Sequence, residues 1–260
     1  MSDGLLLEDV SVQYGTVSIL ERIRLEIPEG QRVSLLGASG SGKSTLLRLL
    51  AGLLKPSHGR LNWRGQPIRG TSLERGLIFQ DYSLFPWLTM VNNVALAVGK
   101  ARPQAGKAER CKTAVHWLRR VGLDEAIAQY PFELSGGMQQ RGAIARLLAL
   151  GSPLLLMDEP FGALDPVNRA RLQDLLVDIV ETAQPRKTLV FVTHDVDEAL
   201  YLGDRVIMLG SASGRIIADL TVPPPRRRDR RTLFESAIFH HLREQIAACL
   251  QADTLQRLVA

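Results

Sequence analysis

Cysteine is scarce in this sequence of 260 residues, which contains only Cys111 and Cys249. The two lie far apart in the chain, and their spacing matches no metal-binding pattern. We therefore expect neither a disulfide framework nor a thiolate metal site. Two reduced, packed thiols in a cytosolic protein are the simpler interpretation.

Long apolar runs are also lacking. Asp3 lies in the N-terminal segment, where a signal peptide carries basic residues. The most apolar stretch, LLALGSPLLLM, is interrupted by Gly151, Ser152 and Pro153 and is shorter than the roughly 20 apolar residues of a membrane-spanning helix. If the protein works at a membrane, we expect another chain to cross it.

The residues that are present suit a folded globular chain. Hydrophobic residues make up 45% of the sequence and charged residues 23%, which suits one large unit or two joined lobes with a real core. The net charge of +5 favours anionic partners, but it does not choose among nucleotides, nucleic acid and an anionic membrane surface.

The hydrophobic pattern predicts an α/β protein with an inserted helical part. Residues 1–80 begin with patterns of an antiparallel β part, and strands alternate with helices again in residues 151–222. We interpret these two ranges as one α/β core with a parallel sheet. Residues 81–150 have a helical pattern and are expected to form a separate lobe inserted into that core.

Residues 223–260 form a third segment, in which the Pro/Arg-rich turn PPPRRRDRR precedes an amphipathic helix. Apolar residues recur in it at every fourth position: Phe234, Ile238, Leu242, Ile246 and Leu250. This helix can dock on its own domain, which we favour, or bind a partner. The arginines of the turn can attract anionic lipid headgroups or form a solvated charge run, and we favour the second interpretation.

A glycine-rich motif, GASGSGKST, follows the predicted strand QRVSLLG and precedes a predicted helix that we expect to stop at Pro56. It fits the pattern G-x-x-x-x-G-K-[ST], in which backbone N–H groups wrap phosphates, the lysine supplies a cation and the serine hydroxyl reaches Mg²⁺. The phosphate-binding residues predicted here are Gly37, Ala38, Ser39, Gly40, Ser41, Gly42, Lys43, Ser44 and Thr45.

Polar side chains follow three other predicted strands. The strand in LLLMDEP ends at Asp158, which we expect to hold Mg²⁺, and Glu159, which we expect to take a proton from water. Gln80 and His194 each follow a further strand. Because the carboxyl ends of parallel strands meet at one edge of a sheet, we expect these side chains to lie near Lys43 and the terminal phosphate.

The stretch LSGGMQQR predicts a second helix end that can bind an anion. Ser135 can cap the helix, and Gly136 and Gly137 let a ligand approach the exposed backbone N–H groups. A chain that already carries one phosphate loop has no evident use for a second within a single site.

These motifs, in this order, resemble the nucleotide-binding subunit of an ABC (ATP-binding cassette) transporter over about the first 220 residues. The resemblance implies a P-loop NTPase (RecA-like) fold that binds ATP and Mg²⁺ and hydrolyses ATP. The catalytic residues that it implies are Lys43, Gln80, Glu159 and His194, and the metal ligands are Ser44, Gln80 and Asp158.

The resemblance also accounts for the second helix end. In the family, two such chains form a dimer around two ATP molecules, and the signature LSGGMQQ of one chain closes on the ATP held by the other. Tyr14 would stack on adenine and Asp165 would couple the two sites, so the ATP-contacting residues outside the phosphate loop are Tyr14, Ser135, Gly136, Gly137 and Asp165. Met138 replaces the glutamine of the commonest signature, and we expect the contacts of the three preceding residues to survive this change.

Several segments, including FQDYSLFPWLTMVNNV and FVTHDVDEAL, are similar to ATPases of the nitrate, sulfonate and taurine importer group. This implies permease subunits as partners, an indirect link to an extracytoplasmic solute-binding protein, no direct contact with the solute, and a cytoplasmic position on the inner face of the plasma membrane. The turn Phe85–Trp87 is expected to dock on the permease, and packing of Trp87 inside the lobe is the alternative.

Other functional classes fit the sequence less well. ABC importers of amino acids or metals share much of the pattern and stay open as alternatives. A soluble ABC ATPase that acts on nucleic acid would carry a long coiled coil or a second cassette, so we do not expect nucleic acid as a partner. A P-loop kinase of small molecules would account for Lys43 and Asp158 but would leave LSGGMQQ and His194 unexplained.

Overall fold

The computed structural model of the chain describes residues 4–211, 214–223 and 230–259, with side chains up to residue 255. The strands are β1 (Gly4–Tyr14), β2 (Val17–Pro28), β3 (Arg32–Gly37), β4 (His58–Trp63), β5 (Gln66–Pro67), β6 (Arg75–Ile78), β7 (Leu154–Asp158), β8 (Thr188–Val192), β9 (Arg205–Leu209) and β10 (Ile216–Thr221). The α-helices are α1 (Lys43–Ala51), α2 (Met90–Ala101), α3 (Lys107–Arg120), α4 (Gly136–Leu150), α5 (Pro166–Thr182), α6 (Val196–Leu202), α7 (Arg230–Phe234) and α8 (Ala237–Val259).

Two compact units make up the chain. Unit 1 contains the chain up to Thr71 and from Thr188 onward, and unit 2 contains Ser72–Lys187. Strands β6 and β7 and helix α5 therefore lie in the same compact unit as the predicted helical lobe. The functional division at residues 80 and 150 stays a prediction.

An antiparallel sheet of order β2-β1-β4-β5 forms the N-terminal part of unit 1, which confirms the predicted β part. Leu5 pairs with Ile27 and Leu7 with Leu25, and all four side chains are buried. Residues two apart on a strand point to the same face, so the alternating pattern of β1 and β2 places one apolar face in the core.

The second sheet segment of unit 1 contains β3 between the parallel strands β8 and β9, with β10 antiparallel to β9. Every residue of β8 is buried, as are all residues of β3 before Gly37. A parallel strand covered on both faces reads as a continuous apolar run, which is the pattern of VSLL and TLVFV.

Unit 2 combines a parallel strand pair with helices. Strand β6 pairs with β7 in register from Arg75 opposite Leu154 to Ile78 opposite Met157. Helix α2 packs on α3 and α4 through buried apolar side chains, including Val94 on α2. Together the two units confirm the predicted α/β fold, with parallel strands and an inserted set of helices.

Helix α1 ends earlier than the sequence predicted. It stops at Ala51 rather than at Pro56, because Gly52 adopts a left-handed conformation with φ of 77°. The N–H group of Gly52 donates to the carbonyl oxygens of Arg48 and Leu49, which closes the last turn of the helix.

The C-terminal helix also differs from its prediction. Helix α7 ends at Phe234, and a new helix, α8, begins at Ala237. The predicted four-residue repeat therefore does not lie on one continuous helix. Ile238 is 56% exposed, whereas Phe239, Leu242 and Ile246 are buried. Helix α8 packs on α6 and β10 of its own unit, as favoured from the sequence. The predicted arginines Arg226–Arg228 lie outside the described residues.

Within the described part of the chain, no helix combines the length and the apolar character that crossing a bilayer requires.

Two isoleucines on α8 test which face of the helix is buried. Both were predicted to be buried, but only Ile246 is buried in the structure. Ile246 is fully buried, so Ile246→Ala should lower the free energy of unfolding by about 2–4 kcal/mol. Ile238→Ala is the matched control and should change it by less than about 0.5 kcal/mol, since that side chain is exposed. Urea unfolding of both variants measures the difference, and equal losses would contradict the observed face.

Candidate functional site

The phosphate loop, residues 37–45, connects the buried end of β3 to helix α1. Gly37, Gly40 and Gly42 have φ of 149°, 82° and 90°, a region that disfavours residues with a side chain. A Cβ atom on Gly37 would lie 2.4 Å from the Leu209 carbonyl oxygen, and one on Gly42 would lie 2.6 Å from Cδ2 of Leu20. Both the backbone conformation and the neighbouring strands therefore require glycine at these two positions.

Lys43 places its cation inside this loop. Its side chain is almost fully buried, and Nζ donates hydrogen bonds to the carbonyl oxygens of Gly37 at 2.8 Å and Ala38 at 2.7 Å. The first turn of α1 carries no acidic residue, and no side chain caps its N-terminus. The positive end of the helix dipole, the loop N–H groups and the ammonium group together fit a phosphate.

Two other predicted residues of unit 1 lie at strand ends. Leu35 of β3 pairs with Val192 of β8, so the phosphate loop and His194 both follow the carboxyl ends of adjacent parallel strands. His194 is exposed. Tyr14 ends β1 opposite Val17 and is 55% exposed, which leaves its ring accessible for stacking.

In unit 2, the predicted carboxylates and Gln80 share one strand edge. Because Ile78 of β6 pairs with Met157 of β7, Gln80 and the pair Asp158 and Glu159 follow the ends of neighbouring parallel strands. Asp158 and Glu159 are half-buried. The structure thus brings these three residues to one edge of unit 2, as it brings His194 and the phosphate loop to one edge of unit 1.

Glu159 has an unusual backbone conformation for a residue with a side chain, with φ of 47°. The left-handed region costs such a residue about 1–2 kcal/mol, which surrounding contacts must offset. The carbonyl oxygen of Glu159 accepts hydrogen bonds from Gln140 Nε2 at 3.0 Å and from the Gly162 N–H group at 3.4 Å. Contacts to this one peptide group thus stabilise the turn that presents the predicted base.

Gln140 is a site residue that the sequence analysis missed. It lies in α4, is 2% exposed, and its Oε1 accepts a hydrogen bond of 3.0 Å from the Ala163 N–H group. A polar residue inside a helix is usually assigned to the solvent face. Its spacing could have indicated burial. Gln140 lies four residues before Ile144 and seven before Leu147, which places it on the apolar stripe of the helix.

The signature segment caps helix α4 as predicted. Ser135 is the N-cap residue, and its Oγ accepts a hydrogen bond of 3.3 Å from the Met138 N–H group. The bond uses the backbone of Met138, so methionine at this position preserves it. The first turn of α4 carries no acidic residue, and Ser135 and Gly136 are exposed. This helix end therefore has the charge and accessibility that an anion requires.

Gly137 also allows close packing against a neighbouring loop, a role that the sequence analysis did not predict. A Cβ atom at this position would lie 3.0 Å from the Ala163 carbonyl oxygen, whereas a Cβ atom on Gly136 would make only ordinary contacts at 3.8 Å. The loop of residues 158–165, here called the carboxylate loop, thus approaches the backbone of the signature helix closely at Gly137.

Asp165 caps helix α5 within its own chain. Its Oδ1 accepts hydrogen bonds from the N–H groups of Val167 and Asn168, and its Oδ2 accepts one from the Asn168 side chain. Hydrogen bonds from Asn168, first from its backbone and then from its side chain, lower the pKa of the Asp165 carboxyl. An exposed, ionised carboxylate therefore ends the carboxylate loop.

Unit 2 also contains an apolar groove of about 460 Å³, whose lining includes Phe85, Leu96, Lys100, Arg146 and Leu147. Arg146 of α4 donates hydrogen bonds to the carbonyl oxygens of Ser83 at 2.6 Å and Tyr82 at 3.2 Å. Burial lowers the pKa of the Arg146 guanidinium, and nearby Asp81 raises it less strongly.

Trp87 is 70% exposed and stands beside the groove, with its ring centroid 5.5 Å from that of Phe85. This exposure contradicts the alternative in which Trp87 packs inside the lobe.

Comparison with known proteins adds to this geometry. Residues 20–162 match the protein family described as ABC transporter. The nitrate transport protein NasD of Klebsiella oxytoca is 44% identical over 246 residues, covering 92% of this chain and 93% of that protein. The taurine import ATP-binding protein TauB of Rhizobium johnstonii is 43% identical, covering 93% of each chain.

A solved structure has a similar fold. It is the dimeric structure of an ATP-binding cassette in a post-hydrolysis state, bound to ADP and Pi. This chain matches it with a TM-score of 0.77 and 33% sequence identity, over 85% of this chain and 100% of the solved one.

The two signature glycines should respond differently to alanine. Alanine has a higher helix propensity than glycine, so Gly136→Ala should keep or raise the thermal unfolding midpoint. Gly137→Ala should be less stable than Gly136→Ala by roughly 1 kcal/mol, because its methyl group presses on the carboxylate loop. Calorimetry of the two variants tests this, and an equal midpoint would contradict the close approach at Gly137.

Proposed function

Because this chain belongs to the ABC transporter family, we propose that it is the ATP-hydrolysing subunit of a bacterial-type importer for nitrate, sulfonate, taurine or a similar small solute. One observation carries the proposal beyond its relatives. The phosphate loop and the signature each place glycines at the N-terminus of a helix, α1 and α4, and neither helix carries an acidic residue in its first turn. An ATPase subunit of another ABC importer, for amino acids or metals, is the alternative.

ATP binding starts from the phosphate loop. Backbone N–H groups of residues 37–45 surround the phosphates, and Lys43 Nζ turns from its loop carbonyl partners toward the terminal phosphate oxygens. The exposed ring of Tyr14 stacks on adenine. The Lys43 ammonium group and the positive end of the α1 dipole both attract the phosphates, which favours nucleotide binding before hydrolysis begins.

The donor set fits Mg²⁺, which prefers oxygen ligands. The Ser44 hydroxyl, the Gln80 amide oxygen and the Asp158 carboxylate would hold the ion together with phosphate oxygens. When bound, Mg²⁺ supplies neutralisation of the charge on the phosphates.

Hydrolysis transfers the γ-phosphoryl group to water. The Glu159 carboxylate accepts a proton from the attacking water while the new bond to phosphorus forms, and the bond from phosphorus to the bridging oxygen breaks, releasing ADP and Pi. His194 donates a hydrogen bond to a γ-phosphate oxygen, and Gln80 orients the water. These groups stabilise charge that develops only in the transition state.

A second copy of the chain completes each site in this proposal. Ser135, Gly136 and Gly137 of one protomer bind the γ-phosphate held by the phosphate loop of its partner, and Asp165 lies at the shared interface. The similar solved cassette is dimeric and holds ADP and Pi. Hydrolysis then requires closure of the dimer, which links ATP turnover to a mechanical change.

In this proposal, permease subunits bind the chain, and closure of the ATPase dimer moves them. The apolar groove, with Phe85 in its wall and Trp87 beside it, has the size and apolar character to accept a short helix of a membrane partner. The chain would then lie on the inner face of the plasma membrane, and an extracytoplasmic binding protein would deliver the solute. The ATPase itself makes no contact with the solute, and nucleic acid is not a proposed partner.

Two substitutions separate ATP binding from hydrolysis. Glu159→Gln removes the proton acceptor but keeps the side-chain size, so turnover should fall by about 10²-fold or more while an ATP-bound dimer accumulates. Lys43→Ala removes the loop cation and should weaken ATP binding by at least about tenfold. Steady-state phosphate release, nucleotide titration and gel filtration measure these effects.

Normal turnover by Glu159→Gln would exclude Glu159 as the base. Unchanged ATP affinity in Lys43→Ala would exclude the phosphate-loop assignment.

The partner assignment makes a further prediction. A tagged chain purified from detergent-solubilised membranes should retain a polytopic membrane protein, identified by mass spectrometry. Trp87→Ala should reduce that recovery while ATP binding and stability stay at the wild-type level, because its side chain is exposed. Leu255→Ala, which removes another exposed apolar side chain on α8, is the control and should not reduce recovery. Recovery of nucleic acid or of soluble partners alone would contradict the importer assignment.

A further inference from the structure

We propose that Gln140 is a positioning residue for ATP hydrolysis, whose buried amide holds the carboxylate loop so that Glu159 faces the attacking water. The inference rests on the proposed function, because it assigns Glu159 as the base. Gln140 itself touches neither nucleotide nor water in this proposal. It acts through two backbone groups of the loop.

The geometry requires an amide at this position. Nε2 of Gln140 donates to the Glu159 carbonyl oxygen at 3.0 Å, and Oε1 accepts from the Ala163 N–H group at 3.0 Å. One end of the side chain must donate and the other must accept, and an amide does both. An ionised glutamate can only accept, and a methionine of similar length makes neither strong bond.

The first of these bonds acts on a conformation that the backbone does not favour. Glu159 has φ of 47°, and the direction of its side chain is set by that turn. The other bond to the same carbonyl oxygen, from the Gly162 N–H group, is longer at 3.4 Å. Without the Gln140 amide, the peptide group of Glu159 loses the shorter of these two hydrogen bonds. Its strained conformation is then less well stabilised, and we expect the carboxylate to shift from its position.

The second bond links the loop to the signature helix. Gln140 lies five residues after Ser135 on α4, and Gly137 of the same helix meets the Ala163 carbonyl oxygen at close range. Ala163 thus accepts no side chain above its carbonyl group at Gly137, and its N–H group donates a hydrogen bond to Gln140. A shift of the signature helix therefore moves the carboxylate loop of the same chain.

This arrangement has a consequence for the proposed dimer. The signature of one protomer contacts the ATP bound by its partner, while Gln140 on the same helix sets the base of its own site. Gln140 thereby makes the geometry of one ATP site depend on occupation of the other, through contacts within a single compact unit.

Gln140→Met tests the proposal, because it keeps the side-chain length and removes both hydrogen bonds. We expect kcat to fall by about 10-fold to 100-fold, as for a displaced catalytic group, while KM for ATP changes less than about threefold. An ATP-bound dimer should accumulate, as in Glu159→Gln. A residue that only stabilises the fold would not produce this trapped dimer.

Gln173→Met is the matched control. Gln173 is 3% exposed in α5 of the same unit, so the control also removes a buried amide. It should lower stability to a similar degree and leave kcat unchanged. An equal loss of kcat in both variants would assign the effect to general destabilisation and would overturn the proposal, as would normal turnover by Gln140→Met.

Gln140→Glu gives an independent readout if the methionine variant does not fold. When ionised, its carboxylate cannot donate to the Glu159 carbonyl oxygen, and when protonated it can. Its kcat relative to wild type should therefore rise as the pH is lowered from about 8.5 to about 6.5, across the range that a buried carboxyl can reach. A ratio that does not change with pH would contradict the proposal.

Wild-type turnover and the Glu159→Gln trap serve as references in the same assays. If both behave as expected and Gln140→Met turns over normally, this inference alone fails. If the wild-type chain does not hydrolyse ATP, the proposed function fails first.

Discussion

A hydrogen bond from the buried Gln140 amide to the Glu159 carbonyl oxygen joins the helix that carries the signature to the loop that carries the predicted base. The same helix reaches a second loop through Arg146, which donates to the carbonyl oxygens of Tyr82 and Ser83. The backbone of Tyr82 and that of Ser83 have positive φ angles, of 62° and 45°. Helix α4 therefore holds two strained segments of unit 2, the one that follows Gln80 and the one that contains Glu159. One helix thus connects the wall of the apolar groove to the loop that carries the carboxylates.

In unit 1, close packing has the same controlling role. Strand β9 lies so close to Gly37, and strand β2 so close to Gly42, that neither position has room for a side chain. The Lys43 ammonium then fills the loop through hydrogen bonds to its carbonyl groups. Neither strand would contact the nucleotide in the proposed mechanism. Their backbone positions nevertheless decide which residues the loop can contain, since a methyl group at either glycine would displace it.

The sequence predicted those parts of the molecule that depend on local pattern. Buried parallel strands appear as continuous apolar runs, and Ser135 and the phosphate loop are recognisable from residue types at fixed spacing. Features set by packing across the chain were missed. Gln140 depends on a loop about twenty residues away, and the steric role of Gly137 depends on Ala163. The exposure of Ile238 depends on which face of α8 packs on α6 and β10. Periodicity in one segment carries no information on such partners.

The central claim is that each ATP site is built from two chains, with the phosphate loop of one facing the signature of the other. A structure of the Glu159→Gln variant with ATP and Mg²⁺ tests it most directly, because the slowed reaction preserves the closed state. The account predicts two protomers, in which Lys43 of one and Ser135 of its partner both lie within hydrogen-bonding distance of the same γ-phosphate. A nucleotide contacted by a single chain, with the signature of every copy facing solvent, would contradict it.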